Sequence, residues 1–209
     1  MPPTLTALTS HPARPGRVRV EIDDHYAFEL SRKAILALSV AQGEVLTPER
    51  LALLETAAAR EAAIGLLARR ERSRAELSTA LKRKRFSPDV VTAVLDGLER
   101  ERLQSDSRFA GAWVETRRRL SPRGRAALAY ELKQKGIGDA EIDPALKKYT
   151  SSEERAALKE LIESRLARMD TKREDKAKIK ARLLGFLARR GFAYEDIRAV
   201  LAEHFPEWV

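Results

Sequence analysis

The sequence predicts a mainly α-helical protein: an elongated array of three tandem three-helix, helix-turn-helix-like repeats behind a short N-terminal β-hairpin. Three observations carry that expectation. A five-position apolar template recurs three times, period-two alternation is confined to one short stretch, and helix-start and helix-stop residues punctuate the rest. The template is anchored on Phe86, with Leu77 and Leu81 nine and five residues before it and Val91 and Leu95 five and nine after. The same offsets give Leu128, Leu132, Ile142 and Leu146 around Ile137, and Leu183, Leu187, Ile197 and Leu201 around Phe192. The anchors lie 51 and 55 residues apart, which is the signature of repeated helical units, each too small to be comfortable alone.

Taken in order, residues 1–16 hold Pro2, Pro3, Pro12 and Pro15 among several Thr and Ser, the composition of a flexible arm. Residues 17–56 read as a β-hairpin plus helices. Arg17–Ile22 and Tyr26–Leu30 alternate polar and apolar on either side of Asp23-Asp24-His25. Ser31 then caps a helix that stops near Gln42-Gly43, and Thr47-Pro48 opens another. Residues 57–104 form the first repeat: a helix ending near Arg70, a second from Ser73 to about Lys84, and a third starting at Ser87-Pro88. Residues 105–150 form the second, opening at Ser105-Asp-Ser107, with its middle helix running from Ser121-Pro122 to Lys135-Gly136. Residues 151–209 form the third. It opens on the capping box Ser151-Ser-Glu-Glu154, continues in a helix from about Thr171 to Arg190, and finishes at His204-Phe-Pro206.

Charge separates these segments. The 209 residues carry 40 Lys and Arg against 31 Asp and Glu, a net +9. By segment the net charge is −1 over residues 1–56, +4 over 57–104, +4 over 105–150 and +2 over 151–209. The basicity therefore lives in the repeats and favours a polyanionic or acidic partner. With no cysteine, thiolate metal sites and disulfides are excluded, and a reducing cytoplasm is expected. No apolar run reaches the length of a membrane span, and the first ten residues lack the pattern of a signal peptide.

Catalytic chemistry finds no foothold. His11, His25 and His204 are scattered, and carboxylates are interleaved with Lys and Arg at helical spacing. Glycine-rich phosphate loops are absent. No enzyme activity and no cofactor are expected. The basic residues are more informative, because they recur at fixed offsets from the anchors. Twelve residues before lie Arg74, Arg125 and Lys180; fourteen before, Arg72, Arg123 and Lys178; two before, Lys84, Lys135 and Arg190. Between Arg69 and Arg85, eight basic residues face only Glu71 and Glu76. A charged solvated face explains any one of them, whereas recurrence argues for a shared surface. Phe109 and Trp113, at i and i+4 beside Val114, read as core packing in preference to a base-stacking platform.

These residues also resemble a known family. Leu67-Ala-Arg-Arg-Glu-Arg-Ser-Arg-Ala-Glu-Leu77, Val91–Leu103, Asp106-Ser-Arg-Phe-Ala110 and Glu131-Leu-Lys-Gln-Lys-Gly-Ile137 are similar to runs in the RecX family, regulators of the RecA recombinase. The resemblance spans about Val18 to Phe205. The chain departs from the family at Arg85, where glycine is usual, at Ser105 in place of Asp, and at Arg125, where Gly-Pro is common. The resemblance implies a non-enzymatic regulator that lies in the groove of the RecA–single-stranded-DNA filament, and an array of this kind is expected to work as a monomer. There it would inhibit ATP hydrolysis, strand exchange and co-protease activity. On that basis the filament and DNA contacts, to single-stranded or double-stranded DNA, are expected at Arg69, Arg70, Arg72, Arg74, Lys82, Arg83, Lys84, Arg85, Arg117, Arg118, Arg119, Arg123, Arg125, Lys133 and Lys135. The alternative is a helix-turn-helix regulator acting on DNA directly. Against it, the third helices (Ser87–Leu98, Ala193–Glu203) are acidic and aliphatic rather than suited to reading base edges.

Overall fold

The computed structural model describes residues 2–169 and 175–204. It divides into two units, residues 1–105 and 106–209. The first begins with a three-stranded antiparallel sheet, β1 (Leu5–Ser10), β2 (Arg17–Ile22) and β3 (His25–Ser31), in the order β1-β2-β3. The expected hairpin is β2–β3. Its two-residue turn places Asp23 and Asp24 at φ 49° and 62°, the left-handed pair that a tight hairpin requires.

The flexible arm expected over residues 1–16 is corrected by β1. Leu5 is fully buried, Leu8 pairs with Val20, and the segment is tied back at its start by Leu5 N–H donating to the Glu44 carbonyl at 2.9 Å. Thr4, Thr6 and Thr9 are β-branched residues suited to a pleated surface. The flanking prolines masked that signal.

Helix α1 (Arg32–Ala37) is capped by the Ser31 side chain, and α2 (Pro48–Leu67) by Thr47 with Pro48 in its first turn, as expected. The face of α2 carrying Leu54, Ala58, Ala59 and Ala63 is buried, and its small alanines allow close approach to the sheet. Glu61 ties the same helix to the strands, accepting hydrogen bonds from the Ser31 backbone at 2.7 Å, the Ser31 hydroxyl and Arg17. Helices α3 (Arg74–Arg83) and α4 (Pro88–Arg100) complete the first repeat, capped by Ser73 and Ser87. One continuous core joins sheet and repeat, running from Leu5 and Phe28 through Leu77 and Leu81 to Leu98.

The second unit has two cores. Helices α5 (Asp106–Leu120), α6 (Arg125–Gln134) and α7 (Asp139–Lys147) enclose Phe109, Leu128, Leu132 and Ile142. Helices α8 (Ser151–Leu166), α9 (Lys176–Arg189) and α10 (Tyr194–His204) enclose Leu158, Ile162, Leu183, Leu187 and Ile197. Two starts differ from expectation. The middle helix of the second repeat begins after Gly124 rather than at Ser121-Pro122. The capping box of the third is Thr150 with Glu153, one residue earlier than Ser151 with Glu154. The expected helix start at Thr171 and the finish at Phe205-Pro206 lie outside the described residues.

The anchor of the template has a structural meaning. In each repeat the residue before it takes positive φ: Arg85 at 67°, Gly136 at 75°, Gly191 at 80°. The N–H of Phe86 donates to the Leu81 carbonyl at 3.4 Å, that of Ile137 to Leu132 at 3.1 Å, and that of Phe192 to Leu187 at 3.3 Å. Nested inside these, Arg85, Gly136 and Gly191 donate to the next residue along, Lys82, Lys133 and Ala188, each at 2.9 Å. This is the Schellman cap, which pairs an apolar residue just past the helix with one in its last turn. The template is thus a helix stop repeated three times, and fourteen of its fifteen apolar positions are buried, with Leu146 half-buried.

Candidate functional site

The end of α3 gathers Lys82, Arg83, Lys84 and Arg85. All four are exposed, and none forms an ion pair with any described residue. Their position is locally sound, because a helix C-terminus carries partial negative charge that attracts cations. Arg69, also exposed and without an ion pair to a described residue, joins Lys84 at the edge of an open hollow of about 360 Å³. Phe28, Leu66 and Phe86 line the apolar side of this hollow. Its carboxylates are already occupied. Glu29 meets Arg14 at 3.0 Å and Arg17 at 3.8 Å, and Glu61 is held by Arg17 and Ser31. The uncompensated charge at this place therefore belongs to Arg69 and the α3 terminus.

The other basic residues of the first repeat are braces. Arg74 spans from α3 to α4, reaching Asp96 at 2.6 Å and Glu99 at 2.8 Å. Arg70 pairs with Glu76 at 2.8 Å. Arg72 is half-buried, with its carbonyl accepting from the Gln104 side chain at 3.3 Å.

In the second repeat, Glu131 is a hub. It accepts hydrogen bonds from Trp113 Nε1 at 2.9 Å and Arg117 at 2.8 Å, and lies 3.5 Å from Arg123. Trp113 is stacked on Phe109 at 5.8 Å and lies beneath the cations of Arg117 (4.7 Å) and Lys135 (5.2 Å). The indole is thus packed by its own chain, the core reading preferred from its spacing. Arg118 bonds Glu153 and Glu115, and Arg125 reaches Glu154 at 3.2 Å and the Tyr149 carbonyl, so both fasten the second repeat to the third. Lys133 meets Asp139 at 2.9 Å. Arg119 alone of the second-repeat set is exposed with no ion pair to a described residue.

The fifteen expected contact residues therefore fall into two groups. Arg69, Lys82, Arg83, Lys84, Arg85 and Arg119 present cations without an ion pair among the described residues, whereas Arg70, Arg74, Arg117, Arg118, Arg123, Arg125 and Lys133 each face a carboxylate. Lys135 lies on Trp113, and Arg72 is half-buried. Two further cations went unassigned as contacts in the sequence: Arg165 and Arg190 lie 5.1 and 4.7 Å from the Phe186 ring centroid. Burial, reinforced by Arg123 and then Arg165, holds the Arg190 guanidinium below its usual pKa. Its place two residues before the third anchor was the available signal.

No group of three or more His, Asp or Glu suited to a metal ion occurs among the described residues, and no described helix is long and apolar enough to cross a membrane.

Three tandem three-helix units with Schellman-capped middle helices define a helical repeat protein. Comparison with known proteins gives the family. Three domain profiles match in succession: RecX, first three-helix domain, over residues 59–98; second, over 105–146; and third, over 152–201. The chain is 38% identical over 152 residues to Regulatory protein RecX of Mycolicibacterium vanbaalenii, covering 69% of this chain and 83% of that one. To Regulatory protein RecX of Clostridium acetobutylicum it is 27% identical over 210 residues, covering 98% and 97%. A crystal structure of regulatory protein RecX shares the fold with a TM-score of 0.61 at 20% identity, covering 98% of this chain and 99% of that one. A crystal structure of RecX from Lactobacillus salivarius also gives 0.61, at 22% identity, with 71% and 96% covered. The chain belongs to the RecX family.

Proposed function

We propose that this protein binds the RecA–single-stranded-DNA filament along its groove. By doing so it inhibits the recombinase, ATPase and co-protease activities of RecA, and so modulates recombinational repair and the SOS response. Family membership supports the partner. The observation that carries the mode of binding is the cluster Lys82–Arg85 with Arg69: five exposed cations without an ion pair to any described residue. Such a surface suits a polyanionic filament, and its binding weakens as salt rises. Arg119 extends the contact set in the second repeat. The division of the repeats at residues 104 and 150, action as a monomer and residence in the cytoplasm belong to the same reading.

The direct DNA-reading alternative is disfavoured by α4. Its outward residues include Asp89, Asp96 and Glu99, and the last two are engaged by Arg74. A helix lined by carboxylates offers acceptors and not donors to the phosphates beside a groove.

The test is single-stranded-DNA-dependent ATP hydrolysis by RecA, with this protein added below one per recombinase subunit. Inhibition at such ratios supports filament binding, since one bound molecule then affects several subunits. No inhibition even at excess, together with salt-sensitive binding to naked DNA, favours the alternative.

A further inference from the structure

We propose that the junction between the second and third repeats holds a binding site for the phosphates of a nucleic-acid strand, built from Arg123, Arg165 and Arg190. The Arg190 guanidinium donates to the Pro122 carbonyl at 3.1 Å and lies over Phe186, while Arg165 from the last turn of α8 lies over the same ring. Arg123 is fixed beside them by the backbone that follows it. Gly124 N–H donates to the Arg190 carbonyl at 2.9 Å, and a Cβ on Gly124 would stand 2.0 Å from the Gly191 carbonyl oxygen. The junction is thus set by backbone against backbone, and it brings Arg123 near enough for its charge, together with that of Arg165, to act on the Arg190 guanidinium.

Their charge is poorly compensated. Neither Arg165 nor Arg190 forms an ion pair with any described residue. The carboxylate at Arg123 is Glu131, at 3.5 Å, and Glu131 already serves Trp113 and Arg117. Guanidinium does not deprotonate at neutral pH, so an incoming anion relieves repulsion that solvent alone only screens. Each helix C-terminus attracts its own cation but gives no reason for three to converge.

Phosphate fits the chemistry. Three planar donor forks match the non-bridging oxygens of successive phosphodiesters. With both Arg165 and Arg190 against Phe186, the ring is occupied by the protein's own cations, so the site reads backbone charge and not bases. An acidic peptide would need apolar purchase as well, which an occupied ring does not provide.

This inference rests on the proposed function only in expecting a nucleic-acid partner, and its test omits RecA. Binding of fluorescein-labelled oligothymidylate to the full-length protein is followed by anisotropy across a salt series. Wild type is compared with Arg165→Gln, Arg123→Gln and, as a control on α10, Arg198→Gln, whose guanidinium lies over the Tyr194 ring. Helicity and melting temperature are measured in parallel. Arg165→Gln and Arg123→Gln each weaken binding, and each lowers the slope of log K against log salt by about 0.7, the value for one single-strand phosphate contact, while Arg198→Gln leaves the slope unchanged. Unchanged slopes in the first two variants, with folding intact, overturn the proposal. So does competition by polyglutamate as effective as that by unlabelled oligothymidylate. If the slopes fall as expected yet the wild type fails to inhibit RecA ATP hydrolysis, this site stands and the filament reading fails.

Discussion

The ends of α3 and α6 make the same turn from different residues. Both close with two backbone hydrogen bonds and an apolar residue folded back on the last turn, yet the left-handed position is Arg85 in one and Gly136 in the other. Glycine adopts that conformation freely, whereas an L side chain there costs about 1 kcal/mol. The first repeat therefore accepts local strain and in return carries a fourth consecutive cation at its exposed α3 terminus. Gly191, the third instance, has no such latitude: besides its φ of 80°, a Cβ there would stand 2.4 Å from that of Ala127. The comparison teaches that the turn is architectural in all three repeats, and that in the first the turn position is also used for charge. Strain retained at an exposed position is what a binding role predicts.

Substitutions at the turns and the repeat junction break that comparison in graded steps. Gly124→Ala forces backbone apart at the junction of the second and third repeats. It is expected to cost about 3 kcal/mol, overpacking against unyielding atoms, read as a lowered urea midpoint. Next come Arg85→Gly, which relieves the strain and stabilises by about 1 kcal/mol, and Gly136→Arg, which introduces it and destabilises by about as much. Opposite signs of similar size would show that φ, and not side-chain contact, sets the difference. Tyr149→Phe is expected to be neutral or stabilising by up to about 1 kcal/mol in the same melts. Its hydroxyl is buried without a hydrogen-bond partner among the described residues, and burial, with Glu154 and then Glu153 nearby, pushes its pKa up to about 12.

The smallest effect concerns acid. The Thr150 backbone N–H, and then its hydroxyl, hold the Glu153 carboxyl below the ordinary carboxylate value. A carboxyl with a depressed folded pKa contributes stability that is present above its unfolded pKa and lost as pH falls through the folded one. A weak acid-side loss of stability is thus expected in wild type. Pro at position 150, which lacks the N–H, should flatten it in acid melts, whereas Thr150→Ala keeps the N–H and flattens it only partly.

Much of this fold was legible because its signals are local. Ser31, Thr47, Ser73 and Ser87 each cap the helix expected of them, since a cap is a matter of three or four neighbouring residues. The anchor template was visible for the same reason, although its cause, a Schellman stop, needed backbone angles. Strand β1 was missed because its threonine alternation sits between prolines. The start of α6 was misplaced because Ser121-Pro122 imitates a cap, while the actual position, Gly124, has no capping side chain. At the candidate site the residue types were legible but their partners were not. Arg74 meets carboxylates 22 and 25 residues away, and Arg118 one 35 away, so free and engaged cations look alike in sequence. Arg165 and Arg190 come together only through tertiary packing on Phe186.

The central claim is that the free cations, and not the engaged ones, act on the filament. It is tested most directly by RecA ATP hydrolysis on single-stranded DNA, titrated with two variants of matched helicity. One reverses Lys82, Arg83, Lys84 and Arg85 to Glu; the other replaces the engaged Arg70 and Arg74 by Gln. The first is expected to raise the concentration for half inhibition at least about tenfold, as loss of a complementary charged surface does, and the second to leave it within about twofold. Equal inhibition by the first variant and wild type would contradict the claim.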